Sequence, residues 1–529
     1  MALTKQLLYF LPSLARILWL SPALLVCLLV YRRYVAQLSK FRGPFWASVT
    51  DIWRLLMVLR GRPHEEQREL HDRYGDIVRL GPGTLSFAHP QAVSDIYSGK
   101  HRMRKSEFYS VQRGIRAGRS ISTIFSTTDE NAHAKLRRGA SNAYALTTLL
   151  QFEPFVDSTT KVLLAQIRSR WADKPGTQGI CDFSTWLQYY AFDVIGEVTF
   201  SKRMGFLEEG RDVGNIIDAI DQGLDYAGPV GQIPMSDYFL RRNPLKLLAG
   251  RWGFLNMTFT HVAFGVEQIR QRKLELGGKL REPVKDGSRP RDFLSRFLES
   301  HYVQGSISED QVMSLTQANI NAGSDTTAIS LRAIFYHLLK TPGCYGKLMD
   351  ELELAEARGH FADTETCLVS WNEAQKLPYL DAVIKESLRI FPAVGLTMER
   401  VVPPQGSVIA GAFVPGGTIV GCSPWVINFR TDVFGSDADS FRPERWIEAD
   451  EEKQSRMKKY FLTFGMGSHT CIGKNISYLE MYKVVAAVLR NFRIELATPT
   501  SQWKVHGSWF VKQGDFKVKF TSRTARKAD

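Results

Sequence analysis

Apolar residues are unevenly spread along the chain, and the longest apolar run comes first. Between Leu7 and Tyr31 the chain is almost wholly apolar, broken by Arg16 and by prolines 12 and 22, and Arg32 and Arg33 follow at once. About 20 such residues suffice to cross a bilayer. A cleaved signal peptide is the other reading of such a run, but no small-x-small cleavage site precedes the basic cluster. The run therefore predicts an uncleaved transmembrane helix, and basic residues 32, 33, 40 and 42 place everything after it in the cytosol. Gly43-Pro44 cannot continue a helix and is expected to bend the chain. This divides the sequence into an anchor (1–34), a hinge and membrane-proximal linker (35–60) and a body (61–529).

Within the body, residues 77–88 predict two short strands around a Pro-Gly turn, and a second strand-rich stretch runs from Arg400 to Val426. Most of the remainder reads helical. Strands from opposite ends of the chain predict a mainly α body with a small β-subdomain assembled from distant pieces. The longest helical pattern starts at Ser308-Glu309-Asp310-Gln311, which fits a capping box, and ends at Lys340 before Thr-Pro-Gly. At 1.5 Å per residue it spans about 50 Å, the width of a domain. Its middle, Asn321-Ala322-Gly323-Ser324-Asp325-Thr326-Thr327, is small, polar and poor at forming helix. Two readings stay open there. Gly323 is a packing glycine among solvated neighbours, or it lets a flat ligand approach while Asp325 and Thr326 present an acid and a hydroxyl.

Composition narrows the class. With 529 residues, 44% apolar and 23% charged, the chain matches an ordinary globular protein, which excludes wholesale disorder, collagen-like repetition and a multi-span membrane protein. The net charge of +14 favours anionic partners. The basic residues are dispersed and no nucleic-acid motif occurs, so nucleic-acid binding is not expected. The six cysteines (27, 181, 344, 367, 422 and 471) form no CxxC pair and no cluster, and read as reduced thiols. Five sit in ordinary company.

The sixth stands in Phe464-Gly465-Met466-Gly467-Ser468-His469-Thr470-Cys471-Ile472-Gly473, before a helical pattern from Lys474 to Asn491. A turn-rich loop of this kind aims backbone N–H groups at one sulfur, and the helix N-terminus adds its positive end. Both effects favour the thiolate. Without a histidine base in the pattern of a cysteine hydrolase, such a sulfur suits metal ligation better than attack on a carbonyl.

With that loop the sequence resembles the cytochrome P450 superfamily, whose haem loop is FxxGxxxCxG. Other signatures fall in the expected order: Ala322-Gly323-Ser324-Asp325-Thr326-Thr327 looks like the oxygen-activating stretch, Glu386-Ser387-Leu388-Arg389 like the ExxR element, and Phe441-Arg442-Pro443-Glu444-Arg445-Trp446 like the PERF element. The resemblance covers essentially the whole chain. Cys471-Ile472-Gly473-Lys474-Asn475-Ile476-Ser477 and the stretch from Arg389 to Leu396 are similar to fungal microsomal members of the pisatin-demethylase-like group.

The resemblance implies the P450 fold after an N-terminal transmembrane helix, and haem b with Cys471 as axial iron ligand. It implies Asp325 and Thr326 on the distal face delivering protons, with Gly323 beside the haem. It gives haem propionates to Arg137, in an element where His133 replaces the usual tryptophan, and to Arg400. Phe464 belongs to the haem loop, and His469 stands where most relatives carry a propionate-binding arginine. Glu386, Arg389 and Arg445 are expected to form a buried ion network with a folding role. Asn428 departs from the family's pattern without a mechanistic account. Substrate contacts are expected from residues 106–125, the residues before Gly323, Val394 to Leu396, and Ser508 to Phe510.

The implied activity is a haem-thiolate monooxygenase that uses O2 to oxidise a lipophilic small molecule, in fungal secondary-metabolite biosynthesis. Detoxification of xenobiotics or plant-defence compounds by demethylation, and an isomerase or dehydratase that does not use O2, are the alternatives. No GxGxxG fingerprint occurs, so NADPH acts indirectly through a separate NADPH-cytochrome reductase, with cytochrome b5 as a second donor. Lys135, Arg138, Lys458 and Lys459 are the docking candidates. The expected location is the endoplasmic reticulum membrane, single-pass.

Overall fold

Ser308 stops one segment and starts the helix around which the body is built. Its hydroxyl accepts from the Gln311 N–H at 3.2 Å while the Gln311 side chain accepts from the Ser308 N–H at 2.7 Å, the reciprocal cap that the sequence predicts. The computed structural model describes residues 26–523 other than 28, 36, 100–102, 257 and 278–290. The elements that build the site are, in chain order, β1 (Ile77–Gly81), β2 (Thr84–Phe87), β3 (Arg104–Lys105), α1 (Glu130–Ala140), α2 (Phe183–Phe200), α3 (Ile216–Val230), α4 (Glu309–Lys340), α5 (Pro378–Ile390), β4 (Arg400–Val401), β5 (Ile419–Gly421), α6 (Lys474–Asn491), β6 (Lys504–Gly507) and β7 (Val511–Gly514).

The helix that Ser308 caps is α4. Apolar residues surround most of it, as expected of a helix at the centre of a core rather than on its surface. The main cluster joins Leu331 and Phe335 of α4 to Phe183 and Phe192 of α2 and to Val484 and Val488 of α6. Truncating one of these phenylalanines to alanine would cost about 3–5 kcal/mol, and Leu331 about 2–5 kcal/mol.

One sheet joins the two ends of the chain in the order β1-β2-β5-β4-β3. Antiparallel β1 and β2 form the predicted hairpin, and β5 pairs with β2 in parallel, Ile419 opposite Thr84. The pairing of β3 with β4 sets Lys105 directly opposite Arg400. The strand-rich stretch from Arg400 ends earlier than predicted. Pro424 opens a short helix, Pro424–Ile427, where its fixed φ and missing N–H fit the first turn.

The predicted anchor, Leu7 to Tyr31, lies up to residue 25 outside the described residues. Among the described residues no helix is long and apolar enough to cross a membrane. All six cysteines are free thiols.

Candidate active site

The Cys471 loop is shaped by its glycines. Gly465 and Gly467 take φ of 69° and 68°, and a Cβ at Gly467 would overlap the Tyr97 carbonyl oxygen. The Cys471 N–H donates to the Phe464 carbonyl at 2.8 Å, closing the loop, and the Phe464 ring packs beside Tyr478 of α6. The N–H groups of Gly473 and Lys474, at the start of α6, point to the sulfur. Burial raises the thiol above its ordinary range, and these donors with the Arg137 guanidinium only oppose that rise. The loop alone therefore does less than the sequence suggests. A cation bound at the sulfur is what completes a thiolate here.

Cys471 presents free surface although the protein surrounds it, so that surface faces an internal hollow. The far wall belongs to α4. Ala322 is exposed in the middle of this buried helix, with Ala318 and Thr326 partly so one turn away on either side. These three, at i, i+4 spacing, form one stripe. The Thr326 hydroxyl donates to the Ala322 carbonyl at 2.8 Å, and Thr327 hydrogen-bonds Ser477 at 3.2 Å, tying α4 to α6. Three segments far apart in sequence and expected at the substrate come together: Phe108, Tyr109, Leu396 and Trp509 share one apolar cluster with Phe125 against it. The rings of Phe108 and Phe125 stand 5.1 Å and 5.4 Å from Trp509.

Two expectations on α4 are corrected. Gly323 turns its bare Cα to α2, where a Cβ would sit 2.7 Å from Ile195 Cδ1, so close helix packing explains the glycine. Asp325 also turns from the stripe. Its carboxylate is buried and accepts from Gln188 of α2 and from Lys512 of β7, each at 2.8 Å. One step of about 100° along a helix separates it from Thr326 and decides which wall each residue serves.

A cluster of cations adjoins the hollow. Arg137 donates to the Thr470 carbonyl at 2.8 Å, Arg400 to the Glu399 carbonyl at 2.8 Å, and Lys105 to the carbonyls of Ile124 and Phe125 at 3.0 and 2.7 Å. Among the described residues none of the three has a carboxylate partner. Burial and then repulsion from Arg400 lower Lys105 from its ordinary value to about 7. His133 and His469 stack with centroids 4.0 Å apart, and Glu130 meets Nε2 of His469 at 3.0 Å. Burial first, then His469, pushes His133 down to about 3, and burial lowers His469 despite Glu130. Nδ1 of His469 is buried without a partner. Buried cations need counter-charge, and these side chains fit a dianionic group such as the two propionates of haem. Lys105 and Glu130 were not expected from the sequence.

Beneath the loop the predicted ion network is present. Arg389 grips Glu386 with two bonds of 2.9 and 2.8 Å, Arg445 adds a third at 2.9 Å, and Trp446 Nε1 a fourth at 2.9 Å. Burial would raise the Glu386 pKa, but the two arginines outweigh it and hold the carboxylate below its usual range. Asn428, unexplained by sequence, is the link to the loop: its amide donates to the Arg389 carbonyl at 3.2 Å and to Thr463 at 2.9 Å, and its oxygen accepts from the Leu462 N–H at 3.0 Å.

Comparison with known proteins agrees with this arrangement. The family model "Cytochrome P450" matches residues 44–520. "Cytochrome P450 monooxygenase cicH" of Emericella nidulans is 40% identical over 95% of this chain and 97% of its own length. "Cytochrome P450 monooxygenase asR2" of Sarocladium schorii is 37% identical over 92% of this chain and 93% of its own length. The crystal structure of the cytochrome P450 CYP102L1 superposes with a TM-score of 0.70 at 18% identity, covering 89% of this chain and 96% of that one. A glycine-shaped loop holding one enclosed sulfur, a central helix whose mid-length stripe of Ala318, Ala322 and Thr326 is left uncovered, and this likeness over nearly the full length together place the chain in the cytochrome P450 family.

Proposed function

We propose that this monooxygenase oxidises a lipophilic small molecule of fungal secondary metabolism. The observation that carries the reading is the hollow itself: it exposes the Cys471 sulfur and the Ala318-Ala322-Thr326 stripe, and the aromatic cluster of Phe108, Phe125 and Trp509 comes from the segments expected at the substrate. An aromatic cluster built from these segments favours an apolar substrate. The family's cofactor is haem b, with electrons from a separate reductase. Cys471 would hold its iron, and Arg137, Arg400, Lys105, His133 and His469 its propionates. When bound, it supplies the redox chemistry by which O2 is used. The chain's own part is to seat the substrate, exclude water and present the Thr326 hydroxyl on the far wall.

The reductase, with cytochrome b5 as a second donor, docks on the face that α1 shares with the Cys471 loop. Lys135, Lys458 and Lys459 are exposed, and none of them, nor Arg138, is ion-paired among the described residues. The location we infer is the cytosolic face of the endoplasmic reticulum membrane. Phe45, Trp46, Ile52, Leu56 and Leu59 are exposed, as are Phe239, Leu245, Trp252 and Phe254, and the helix Ile52–Leu59 packs against α3. So many exposed large apolar side chains favour a lipid surface.

The deciding measurement is the carbon-monoxide difference spectrum of the reduced protein in membranes beside Cys471→Ala. A red-shifted thiolate-type Soret band missing from the variant is expected. An imidazole-type band, or none in folded protein, rejects the reading. Product formed under oxygen-18 gas is expected to carry label, and unlabelled product would favour an isomerase or dehydratase.

A further inference from the structure

Where the membrane-proximal segment meets the body, four arginines stand without an acid. Arg79 of β1 is 1% exposed. Its Nε donates to the Gly81 carbonyl at 3.3 Å, and its Nη2 to the carbonyls of Pro82 and Arg32 at 2.9 and 3.1 Å. Nη1 is buried with no partner, and so is Nε of the half-buried Arg33. The short helical segment Tyr31–Val35 carries Arg32 and Arg33, and Arg32 Nη1 ties it down by donating to the Val49 carbonyl at 2.9 Å. Arg42 joins through its backbone. Its carbonyl accepts from the Arg79 N–H at 2.8 Å, and a Cβ on the adjacent Gly43 would overlap the Arg79 carbonyl oxygen. Among the described residues none of these four arginines is ion-paired.

A buried guanidinium normally has its counter-charge beside it, as Arg54 has Glu399 and Arg389 has Glu386. Carbonyl oxygens take three bonds from Arg79 but leave its charge standing. Burial, then the charge of Arg33, lowers the Arg79 guanidinium from its ordinary value. The group is therefore short of an anion, and its surroundings point to the source. Tyr31, Tyr34 and Trp46 are exposed on the two segments that Arg32 ties together, and rings with a polar tip sit at the headgroup level of a bilayer. Basic residues beside a membrane gather anionic lipid. A phosphate offers several oxygens to guanidinium donors at once.

Resting on the membrane location inferred above, we propose that Arg79 and Arg33 form a seat for the phosphate of an anionic phospholipid, with Arg32 and Arg42 adding positive charge. The phosphate accepts from Arg79 Nη1 and Arg33 Nε, the two donors left over, and supplies the missing counter-charge. Arg33 is only half-buried, so its side chain turns out to admit the headgroup. A phosphomonoester suits two guanidiniums better than a zwitterionic headgroup, whose own ammonium competes for the phosphate. Lipid charge then fixes how the body stands on the bilayer, at a point just past the predicted anchor.

The test uses the full-length, haem-loaded protein in neutral detergent, titrated with dioctanoyl phosphatidic acid, dioctanoyl phosphatidylcholine or inorganic phosphate. Native mass spectrometry and the melting midpoint are the readouts. Phosphatidic acid is expected to stay on the wild type and raise its midpoint, binding about tenfold or more tighter than phosphatidylcholine. Arg79→Gln is expected to bind it about tenfold more weakly, as one charge-assisted contact is lost. Its midpoint without lipid should hold or rise, because an uncompensated charge is gone. Equal retention of the two lipids by the wild type, or wild-type affinity in the variant, overturns the seat. If inorganic phosphate at the same concentration gives the same shift, the occupant is a free anion and the lipid assignment is overturned. Should Arg79→Gln fail to fold, Arg33→Gln decides: its affinity for phosphatidic acid must fall about tenfold, and wild-type affinity overturns the proposal. Washing microsomes with alkaline carbonate checks the membrane reading separately. A chain that washes off ends that reading, whereas a retained chain that does not select phosphatidic acid ends only the seat.

Discussion

Two clusters of buried positive charge adjoin the Cys471 loop, and they are completed differently. Arg389 and Arg445 close on Glu386 through three charged hydrogen bonds, and Asp437 takes a further bond from Arg445 at 2.8 Å. Among the described residues Lys105, Arg137 and Arg400 are bonded only to uncharged groups, carbonyls and, for Arg400, the Tyr109 hydroxyl, with Lys105 and Arg400 facing each other across a strand pair. Like charges so placed repel, and carbonyl dipoles do not cancel a full charge. A closed cluster serves the fold, while an open one waits for a ligand that brings the missing charge. The same residue types thus do opposite work a short distance apart.

The widest separation between the clusters is expected from Glu386→Gln. It leaves Arg389 and Arg445 without the carboxylate that neutralises them, at a cost of about 3–5 kcal/mol. The expected outcome is little folded protein by circular dichroism even with haem supplied. A folded variant with an ordinary Soret band would show that Glu386 is dispensable and break the contrast.

In the open cluster the sign reverses. Arg400→Ala removes a repulsion from the haem-free protein, so its thermal midpoint should hold or rise. Haem affinity should fall by roughly 10–100-fold as one charge-assisted bond to a propionate is lost. Haem transfer to an acceptor globin measures the second quantity and a melting curve the first. A large loss of haem-free stability would make Arg400 a folding residue like Arg389.

Lys105 sharpens the contrast through pH. Its pKa in the haem-free fold is lowered to about 7, chiefly by burial, against 10.5 when exposed. The unfolded chain therefore holds more protons than the fold between these values, and stability contributed by this group rises as pH climbs from 7 toward 10. A propionate beside the ammonium would restore its pKa, so bound protein holds more protons and haem affinity falls over the same window. Haem release at pH 6.5 and 9 should differ in the wild type more than in Lys105→Met. Equal pH dependence in both would remove Lys105 from the propionate site.

What could be read in advance follows from how each signal is stored. The α4 cap, the Cys471 loop and the Glu386–Arg389 pair are each written within a few consecutive residues, so spacing was enough. Lys105 gains its meaning from Arg400, and Asn428 from Arg389, Leu462 and Thr463, all far away in the chain. No local pattern marks them. Asp325 and Thr326 were found together by motif, but adjacent residues on a helix face different walls, and only the packing of α2 and β7 shows which one meets the hollow. Gly323 was left open between packing and ligand approach, and Ile195, the residue that settles it, lies on another helix.

That glycine supplies the smallest of the expected effects. In Gly323→Ala the new methyl would lie 2.7 Å from Ile195 Cδ1, the far end of a flexible side chain, so Ile195 has to shift rather than the backbone. Alanine in place of a mid-helix glycine returns about 1 kcal/mol of helix propensity, which offsets much of an overpacking cost of about 1–3 kcal/mol. The expected net loss is about 1 kcal/mol or less, a drop of a few degrees at most in the melting midpoint, with an unchanged carbon-monoxide spectrum. Loss of the Soret band with stability intact would instead mean that the haem needs the bare backbone at 323. Gly323 would then belong with the open, ligand-completed side of the molecule.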